Sequence, residues 1–350
     1  MRKLIAVTLI LLILTLSISA LAQTQVITLT VTGDALLGNN DPVSKTDYAF
    51  RRYIEKYGYA YPFSKLQNLF ANDDITLVNL ECVFNDSEPM QKSHFSFRGP
   101  TGNAGILRES SIEVVNLANN HSGDYGKAGF ASTLEALGAA GIKYSGSTGN
   151  GNYTCIWEKD GIKIGFVGVI PLYYKDHAKE VKRCFDSLKE AGCQVIVASL
   201  HAGMEYRPTH GSLQEKYGNT LRSLGANIII GNHPHVPQGV KVQDGVTHLY
   251  SLGNASFGGN TGVDEAVHCI QSFVAQFDLT FEDGIYKGHQ LTIWPIHISG
   301  VSPENNYQPV LVSGGEAEAV MKRIQKDTRF KLSPYVEGEG AVQPFVPWEK

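Results

Sequence analysis

The stretch Ile228-Ile229-Ile230-Gly231-Asn232-His233-Pro234-His235 places three β-branched residues directly before a cluster of polar side chains. A short β-branched run bounded by turn residues is typical of a strand buried in a parallel sheet. Such sheets collect their functional side chains just beyond the carboxyl ends of their strands. The two imidazoles at this position therefore predict a ligand site at a sheet edge, with His233 and His235 as its first candidates.

The same pattern occurs at five other places in the chain. Apolar runs at 26–31, 75–78, 114–118, 195–200 and 247–252 are followed by Thr32-Gly33-Asp34, Asn79-Leu80-Glu81, Asn119-Asn120-His121, His201-Ala202-Gly203 and Gly253-Asn254. Apolar residues at helical spacing lie between these runs, at 63–70, 130–137, 181–188 and 213–224. Alternating strands and helices indicate βαβ units. We therefore predict an α/β protein with one site built from several strand ends.

The C-terminal part has a different pattern. Residues 272–281 and 288–298 alternate apolar and polar side chains around Glu282-Asp283-Gly284, which predicts an antiparallel hairpin added to the main sheet. A short helix is expected over 316–326. Residues 333–350 are rich in Pro, Gly and acidic residues, so we expect an extended or loosely attached tail. The predicted division is a leader at 1–22, a main domain at 27–300, and a C-terminal helix and tail at 301–350.

Residues 1–22 have the layout of a secretory signal peptide. Arg2 and Lys3 precede an apolar stretch, and Ala20 and Ala22 are small residues suited to a cleavage site. An uncleaved membrane anchor is the alternative, because the apolar stretch approaches the length needed to cross a bilayer core of roughly 30 Å. Both interpretations predict that the rest of the chain works outside the cytoplasm, either secreted or in the cell envelope.

The composition disfavours nucleic acid as a partner and a fold stabilised by disulfides. The net charge of -4 at pH 7 makes nucleic acid an unfavourable partner. The five cysteines lack C-x-x-C spacing, so we predict no disulfide framework. Cys82 and Cys269 lie in or beside apolar strands and are expected to be buried free thiols. The Gly-rich stretch at 145–152 lacks the G-x-x-x-x-G-K pattern and is interpreted as a loop.

The side chains at the strand ends are of the types that bind divalent ions. They are Asp34, Glu81, Asn120, His121, His201, His233 and His235. Carboxylates, an amide and imidazoles without thiolates suit Zn, Mn, Fe or Mg. A carboxylate shared between two ions would form a two-metal centre, which suits phosphoester hydrolysis. Taken singly, Asp34, Asn119 and Asn254 are better explained as helix caps or turn formers. The other histidines are expected on the surface or in the core, with His210 a weak candidate.

Six segments, in register from about residue 27 to 258, resemble CapA-type proteins. They are Thr32-Gly33-Asp34-Ala35-Leu36-Leu37-Gly38, Asn79-Leu80-Glu81, Ala118-Asn119-Asn120-His121-Ser122-Gly123-Asp124-Tyr125-Gly126, His201-Ala202-Gly203-Met204-Glu205, Gly231-Asn232-His233-Pro234-His235-Val236 and Tyr250-Ser251-Leu252-Gly253-Asn254. That family is linked to poly-γ-glutamate capsule synthesis and is similar to calcineurin-like metallophosphoesterases. The resemblance implies a four-layer α/β/β/α sandwich with a dinuclear metal site.

The resemblance also implies a role for each matching residue. One ion would be bound by Asp34 and His235, the other by Asn120, His201 and His233, and both by Glu81. His121 would be a general acid, because the ordinary pKa of histidine lies near working pH. Asn79, Glu205 and Asn254 would orient ligands or contact the substrate.

Three positions depart from the phosphoesterase pattern. Leu36 stands where those enzymes carry a histidine, so the first ion has one ligand fewer. Glu81 replaces a shared aspartate, and Ser122 replaces an acidic residue after the catalytic histidine. We therefore expect one or two bound ions.

The resemblance implies an exported capsule-biosynthesis protein with a metallophosphoesterase-like metal site, and the residues leave two modes of action open. The chain is a metal-dependent hydrolase of a phosphoester or amide, or it is a non-catalytic assembly factor that guides a polymer. The expected ligand is an anionic polymer such as poly-γ-glutamate, or a phosphorylated small molecule, and the expected partner is a membrane-associated synthesis complex. Residues 48–61 and Tyr206-Arg207 are candidates for polymer contact, although a solvated helix face explains 48–61 more simply.

Overall fold

A computed structural model describes residues 23–86, 95–147, 153–257, 269–302 and 304–349. The predicted signal peptide or anchor lies outside the described residues, as do His94, His268 and residues 148–152 of the Gly-rich stretch. Within the described ranges, no helix has both the length and the apolar character required to cross a membrane.

The strands, in chain order, are β1 (Thr24–Leu36), β2 (Ile75–Leu80), β3 (Val83–Phe84), β4 (Arg98–Gly99), β5 (Val114–Asn116), β6 (Lys143–Ser145), β7 (Thr154–Lys159), β8 (Ile162–Val169), β9 (Val195–His201), β10 (Ile228–Asn232), β11 (Val240–Gln243), β12 (Val246–Leu249), β13 (Asn254–Phe257), β14 (Gln271–Glu282), β15 (Ile285–His297), β16 (Val310–Leu311), β17 (Ala341–Val342) and β18 (Val346–Pro347). The helices are α1 (Asp41–Ser44), α2 (Phe50–Tyr57), α3 (Gln67–Phe70), α4 (Ala104–Glu109), α5 (Gly126–Ala140), α6 (Pro171–Glu190), α7 (Ser212–Leu224) and α8 (Gly314–Lys326), with a 3₁₀ helix at Thr101–Asn103.

All of these strands except β3 and β4, which pair with each other, form two large sheets. The first has the order β16-β15-β14-β1-β2-β5-β6, with β13 beside β1 and with β17 and β18 beside β15. The second has the order β11-β12-β10-β9-β8-β7. In the first sheet β1, β2, β5 and β6 run parallel, and in the second β8, β9, β10 and β12 do. The prediction of an α/β fold is confirmed.

Three buried clusters hold the sheets and helices together. One joins apolar residues of both sheets, such as Val31 of β1 and Val197 of β9. A second packs the first sheet against α2, α4 and α5, and a third packs the second sheet against α6 and α7. Strands β2 and β9 are buried at every residue, which explains their continuous apolar sequence.

The predicted hairpin strands pair antiparallel from Gln271 and His297 to Glu282 and Ile285. The two-residue turn between them has φ values of 50° at Asp283 and 76° at Gly284. Backbone positions with positive φ favour Asp, Asn or Gly, so this Asp-Gly pair suits the turn.

Of the two alternatives predicted for the C-terminal tail, the extended one is correct and the loosely attached one is wrong. Strands β17 and β18 both pair with β15, and the Ala341 side chain is fully buried. Trp348 packs against two of the buried clusters, and Val320 of α8 is part of the cluster between the sheets. The sequence does not indicate this pairing, because strands of two residues are too short to show a periodic pattern and the segment is rich in Pro and Gly.

Two further expectations need correction. The helix expected over 63–70 is only one turn, α3, although Phe63 and Leu66 are buried in the turns before it. Within 48–61, α2 is not simply solvated: Phe50 is fully buried, and the stacked rings of Tyr57 and Tyr61 lie 4.7 Å apart. The cysteines are free thiols, and Cys82 and Cys269 are buried, as predicted.

Candidate metal centre

The candidate centre lies where the carboxyl ends of the two sheets meet. In the first sheet Asp34 of β1 is aligned with Asn79 of β2 and with Asn254 of β13. In the second sheet Asn232, at the end of β10, is aligned with His201, at the end of β9. Residues separated by most of the chain therefore arrive at one edge, as expected for parallel strands.

Strand β1 is irregular just before Asp34. Its register with β2 shifts between Val31 and Asp34, and such a bulge re-aims the following side chain. The backbone N–H of Asp34 donates to Gly253 O (3.0 Å). A Cβ on Gly33 would lie only 1.9 Å from that same oxygen. Glycine at position 33 is thus required for the close approach that positions Asp34.

Two groups of potential ligands share Glu81. One group is Asp34, Glu81 and His235, and the other is Glu81, His201 and His233. In each group the ligand atoms all lie within 4.8 Å of one another. The two groups correspond to the two ion sites that the sequence motifs imply.

Glu81 is the least compensated group in this region. Its side chain is fully buried, and neither carboxylate oxygen has a hydrogen-bond partner among the described residues. The nearest cationic candidate is His201, whose Nε2 lies 3.5 Å from Glu81 Oε1. Burial and the neighbouring charge of Asp34 raise the pKa of Glu81 well above its ordinary value. A buried carboxylate with no partner is unfavourable unless a cation binds it.

Asp34 has more partners. Asn79 Nδ2 donates to its Oδ1 (2.8 Å), and the backbone N–H of His233 donates to its Oδ2 (3.1 Å). His235 Nδ1 lies 3.3 Å from the same Oδ2. Burial alone would raise the pKa of Asp34, but the hydrogen bond and charge of His235 lower it below its ordinary value. Asp34 therefore stays ionised, as a metal ligand must.

The segment after β10 holds its two histidines in strained backbone conformations. The φ values are 99° at His233 and 59° at His235, where non-glycine residues are uncommon. Strain of this kind concentrates at functional sites. His235 Nδ1 also lies 2.8 Å from Asn254 Oδ1, whereas the buried Nδ1 of His233 has no partner among the described residues.

The three histidines differ in their protonation. Burial lowers the pKa of His201 well below its ordinary value. Burial, and then the charge of His235, lower the pKa of His233. Burial also opposes the charged form of His235, but the charges of Glu81 and Asp34 outweigh it and raise its pKa. His201 and His233 are thus neutral, the form that binds metal, whereas His235 would give up its proton when an ion binds.

Asn120 and Glu81 converge on the same atom. Asn120 Oδ1 lies 2.7 Å from His201 Nε2, the nitrogen that also faces Glu81. The rings of His201 and His233 are 4.8 Å apart. Asn120 is therefore placed beside the second group, as the motif implies.

His121 lies on the rim and is held by a residue that the sequence analysis missed. Its Nδ1 lies 2.9 Å from Asp124 Oδ2, which also accepts a hydrogen bond from the backbone N–H of Phe97 (2.7 Å). The Phe97 ring centre is 4.4 Å from that of His121. Phosphoesterases carry an acidic residue directly after this histidine, where the present chain has Ser122. Asp124, three residues after His121, supplies the acidic partner instead.

Asparagines form a framework behind the ligands. Asn79 Oδ1 accepts hydrogen bonds from Asn116 Nδ2 (2.8 Å) and from Asn119 Nδ2 (3.3 Å). Asn119 Nδ2 also donates to Leu80 O (2.8 Å). Ser122 Oγ donates to Asn119 Oδ1 (2.8 Å). Asn119 is therefore a structural residue. Asn116 is a second structural residue, and the only sequence signal for it is its position at the end of β5.

Three other positions lie outside the ligand groups. Leu36 is fully buried in an apolar cluster and offers no ligand. Glu205 makes no hydrogen bond with another described residue, although its charge acts on Glu81 and His233. His210 belongs to a different cluster, with its Nδ1 2.9 Å from Asp327.

The donor set fits one or two divalent cations. Carboxylate and imidazole ligands without thiolates suit Mn, Zn, Fe or Mg. The uncompensated Glu81 carboxylate lies in both ligand groups, where a cation would satisfy it. The fold and this centre define an α/β protein with a candidate metal centre where two sheets meet.

Sequence comparison identifies the family. A model described as "Bacterial capsule synthesis protein PGA_cap" matches residues 28–258, and the chain belongs to this family. The chain is similar to the capsule biosynthesis protein CapA of Bacillus anthracis, with 27% identity over 66% of this chain and 60% of that protein. It is also similar to the PGA biosynthesis protein CapA of Bacillus subtilis (strain 168), with 23% identity over 87% of this chain and 79% of that protein.

Similarity to solved structures is more distant. A 5′-nucleotidase from Candida albicans SC5314 has a TM-score of 0.41 and 11% identity, with 86% of this chain and 56% of that chain covered. A purple acid phosphatase, PPD1, from yellow lupin seeds has a TM-score of 0.37 and 8% identity, with 83% of this chain and 54% of that chain covered. Likeness at this level says nothing about function.

Proposed function

We propose that this chain is an exported protein of capsule biosynthesis that acts on poly-γ-glutamate, through a divalent-metal centre that hydrolyses a phosphoester or an amide. The observation that carries the chemistry is the shared carboxylate Glu81, buried between two groups of histidine and carboxylate ligands. The polymer is suggested by the similarity to the PGA biosynthesis protein CapA of Bacillus subtilis. Export is suggested by the signal-like sequence at residues 1–22.

The ligands for the ions are divided between the two groups. Asp34 and His235 would hold one ion, His201 and His233 the other, and Glu81 both. Bound ions would supply electrostatic stabilisation of charge that develops on the substrate.

The protein's own proton chemistry centres on His121. Asp124 fixes the Nδ1 side of the ring, and Asn119 Oδ1 accepts the backbone N–H of His121 (3.1 Å). The orientation leaves Nε2 as the nitrogen that transfers a proton to a leaving oxygen or nitrogen. The Phe97 ring covers one side of the imidazole and limits its contact with water.

A non-catalytic role is the second candidate. Leu36 is buried and apolar at a position where phosphoesterases carry a ligand, so the first group has three members only. A weaker first site would allow polymer binding without turnover. In that case the chain would guide the polymer to a membrane-associated synthesis complex.

One experiment separates the two candidates. Metal content and hydrolysis of p-nitrophenyl phosphate and of a γ-glutamyl p-nitroanilide are measured for the purified chain and for His233→Ala, with the exposed-helix variant Lys216→Ala as control. The hydrolase predicts bound metal and a rate on one of the two substrates that falls by at least about tenfold in His233→Ala alone. Poly-γ-glutamate binding that survives His233→Ala, without hydrolysis of either substrate, would favour the assembly factor.

A further inference from the structure

A polar cavity of about 230 Å³ lies beside the edge strand β11 and outside the metal centre. Its charged lining residues are His210, Glu215, Lys241, Asp327 and Arg329. It adjoins a larger groove of about 440 Å³ under the C-terminal tail. The cavity and the groove share a wall formed by Val240, Val242 and Phe330.

The acidic groups of the cavity are already satisfied by protein donors. The Asp327 carboxylate lies 2.9 Å from His210 Nδ1 and accepts the backbone N–H groups of His210 (3.0 Å) and Gly239 (2.9 Å). Glu215 accepts from Lys241 Nζ (2.8 Å) and from the Tyr250 hydroxyl (2.6 Å). Although burial opposes it, these two hydrogen bonds lower the pKa of Glu215 to about 2. Neither carboxylate is left to attract a cationic ligand.

The groups that retain hydrogen-bonding capacity are donors. Among the described residues, the Lys241 ammonium bonds only Glu215, which leaves two of its three N–H groups. Arg329 is exposed and makes no hydrogen bond or ion pair with another described residue. Its guanidinium offers five N–H groups suited to a planar or tetrahedral anion. The cavity therefore favours a carboxylate or phosphate group.

The adjoining groove is mainly apolar. Its wall includes Leu291, Phe345 and Val346 in addition to the shared residues. Val242 is 40% exposed and Phe345 is 45% exposed, although both are large apolar side chains. A concave apolar surface with a few convergent polar groups at one end is typical of a small-molecule site.

We propose that the cavity and the groove together bind an amphiphilic anion, with its carboxylate or phosphate head at Lys241 and Arg329 and its apolar chain along Val242 and Phe345. This site is independent of the function proposed for the metal centre. The cavity is formed by α7, β11 and the segment after α8, and none of its residues is a member of the two metal-ligand groups.

Isothermal titration calorimetry of the full chain tests the proposal with octanoate, octyl phosphate, octanol and acetate. We expect octanoate or octyl phosphate, referred to below as the octyl anions, to bind at least about tenfold more tightly than octanol or acetate. The tighter of the two shows whether the site prefers a carboxylate or a phosphate head group. Loss of a charged hydrogen bond predicts that Arg329→Gln weakens this binding by about tenfold. Phe345→Ala should weaken binding of the octyl anion without changing that of acetate.

Lys326→Gln is the matched control, because it removes an exposed cation of α8 outside the cavity. Binding of the octyl anions should be unchanged in this variant. The proposal is overturned if octanol binds as tightly as both octyl anions, or if Arg329→Gln and Lys326→Gln behave alike.

Discussion

Glu81 combines complete burial, a neighbouring carboxylate and the lack of a hydrogen bond among the described residues. Such a group destabilises the metal-free protein and stabilises the metal-bound one. The same residue therefore acts in opposite directions in the two states, which gives a test that does not depend on enzymatic activity.

We predict that Glu81→Gln stabilises the metal-free protein by about 1–3 kcal/mol at pH 7, because it removes a buried carboxyl whose ionised form is unfavourable in the folded protein. In excess Mn²⁺ the same variant should be less stable than the wild type, because a ligand is lost and binding no longer favours the folded state. Thermal unfolding in EDTA and in Mn²⁺ measures both effects. A change of the same sign in the two buffers would contradict the assignment of Glu81 as a ligand.

Asp124 is expected to be a positioning residue for His121. Its carboxylate accepts a hydrogen bond from Nδ1–H of the ring, which leaves Nε2 as the nitrogen that exchanges a proton with the substrate. Asp124→Asn should shift the tautomer toward Nε2–H, which ¹⁵N NMR of the histidine side chains detects. Metal content should not change. The role is excluded if the His121 ring nitrogens have the same chemical shifts in the wild type and the variant.

At the scale of elements, the amino ends of β2 and β5 carry two acids with raised pKa values. Burial raises the pKa of Glu113 from its ordinary 4.5 to about 7, and that of Asp73 from 3.8 to about 6. The folded protein thus binds these protons more tightly than the unfolded chain does. The resulting stability is present below the unfolded pKa values and is lost as the pH rises through the folded ones.

Glu113→Gln should therefore reduce the decline in the free energy of unfolding between pH 4.5 and pH 7. The glutamine keeps an oxygen that can accept the backbone N–H of Thr76, which Glu113 Oε2 now accepts at 2.8 Å. Urea unfolding at several pH values measures the slope. Equal slopes for wild type and variant would show that Glu113 titrates normally in the folded protein.

The C-terminal tail should contribute measurably to stability. Deletion of residues 334–350 removes β17, β18 and the packing of Trp348, and leaves β15 with an open edge. We expect the free energy of unfolding to fall by about 3 kcal/mol or more for the deletion, and by about 1–3 kcal/mol for Trp348→Ala. Phe345→Ala, at an exposed position, should cost under about 1 kcal/mol. An unchanged unfolding midpoint for the deletion would show that the tail is loosely attached and does not stabilise the fold.

At the scale of the whole molecule, much of the architecture could be predicted because most of the site residues lie at or shortly after the carboxyl ends of strands. The run Ile228-Ile229-Ile230 indicated a buried strand, and the polar cluster after it indicated an edge site. Asp124 was missed because its contact with His121 depends on a turn rather than on a strand end. The pairing of β17 and β18 was missed because each has two residues and depends on β15, which is distant in sequence.

The metal centre depends on the packing of the two sheets, because each sheet supplies some of its ligands. In the first sheet Asp34 lies near the carboxyl end of β1 and Glu81 follows β2, whereas in the second His201 ends β9 and His233 follows β10. Removing a ligand from either sheet should therefore weaken binding of an ion, even though the strands that carry the ligands belong to two different sheets.

The most direct test is the metal content of purified protein after dialysis against Mn²⁺ or Zn²⁺, measured by inductively coupled plasma mass spectrometry. Asp34→Ala and His201→Ala represent the two sheets, and Glu318→Ala, an exposed acid of α8, is the control. We predict one or two ions per chain in the wild type and the control, and a loss of about one ion or more in each ligand variant. A wild-type protein without stoichiometric metal, or ligand variants that keep the full content, would contradict a shared cation centre.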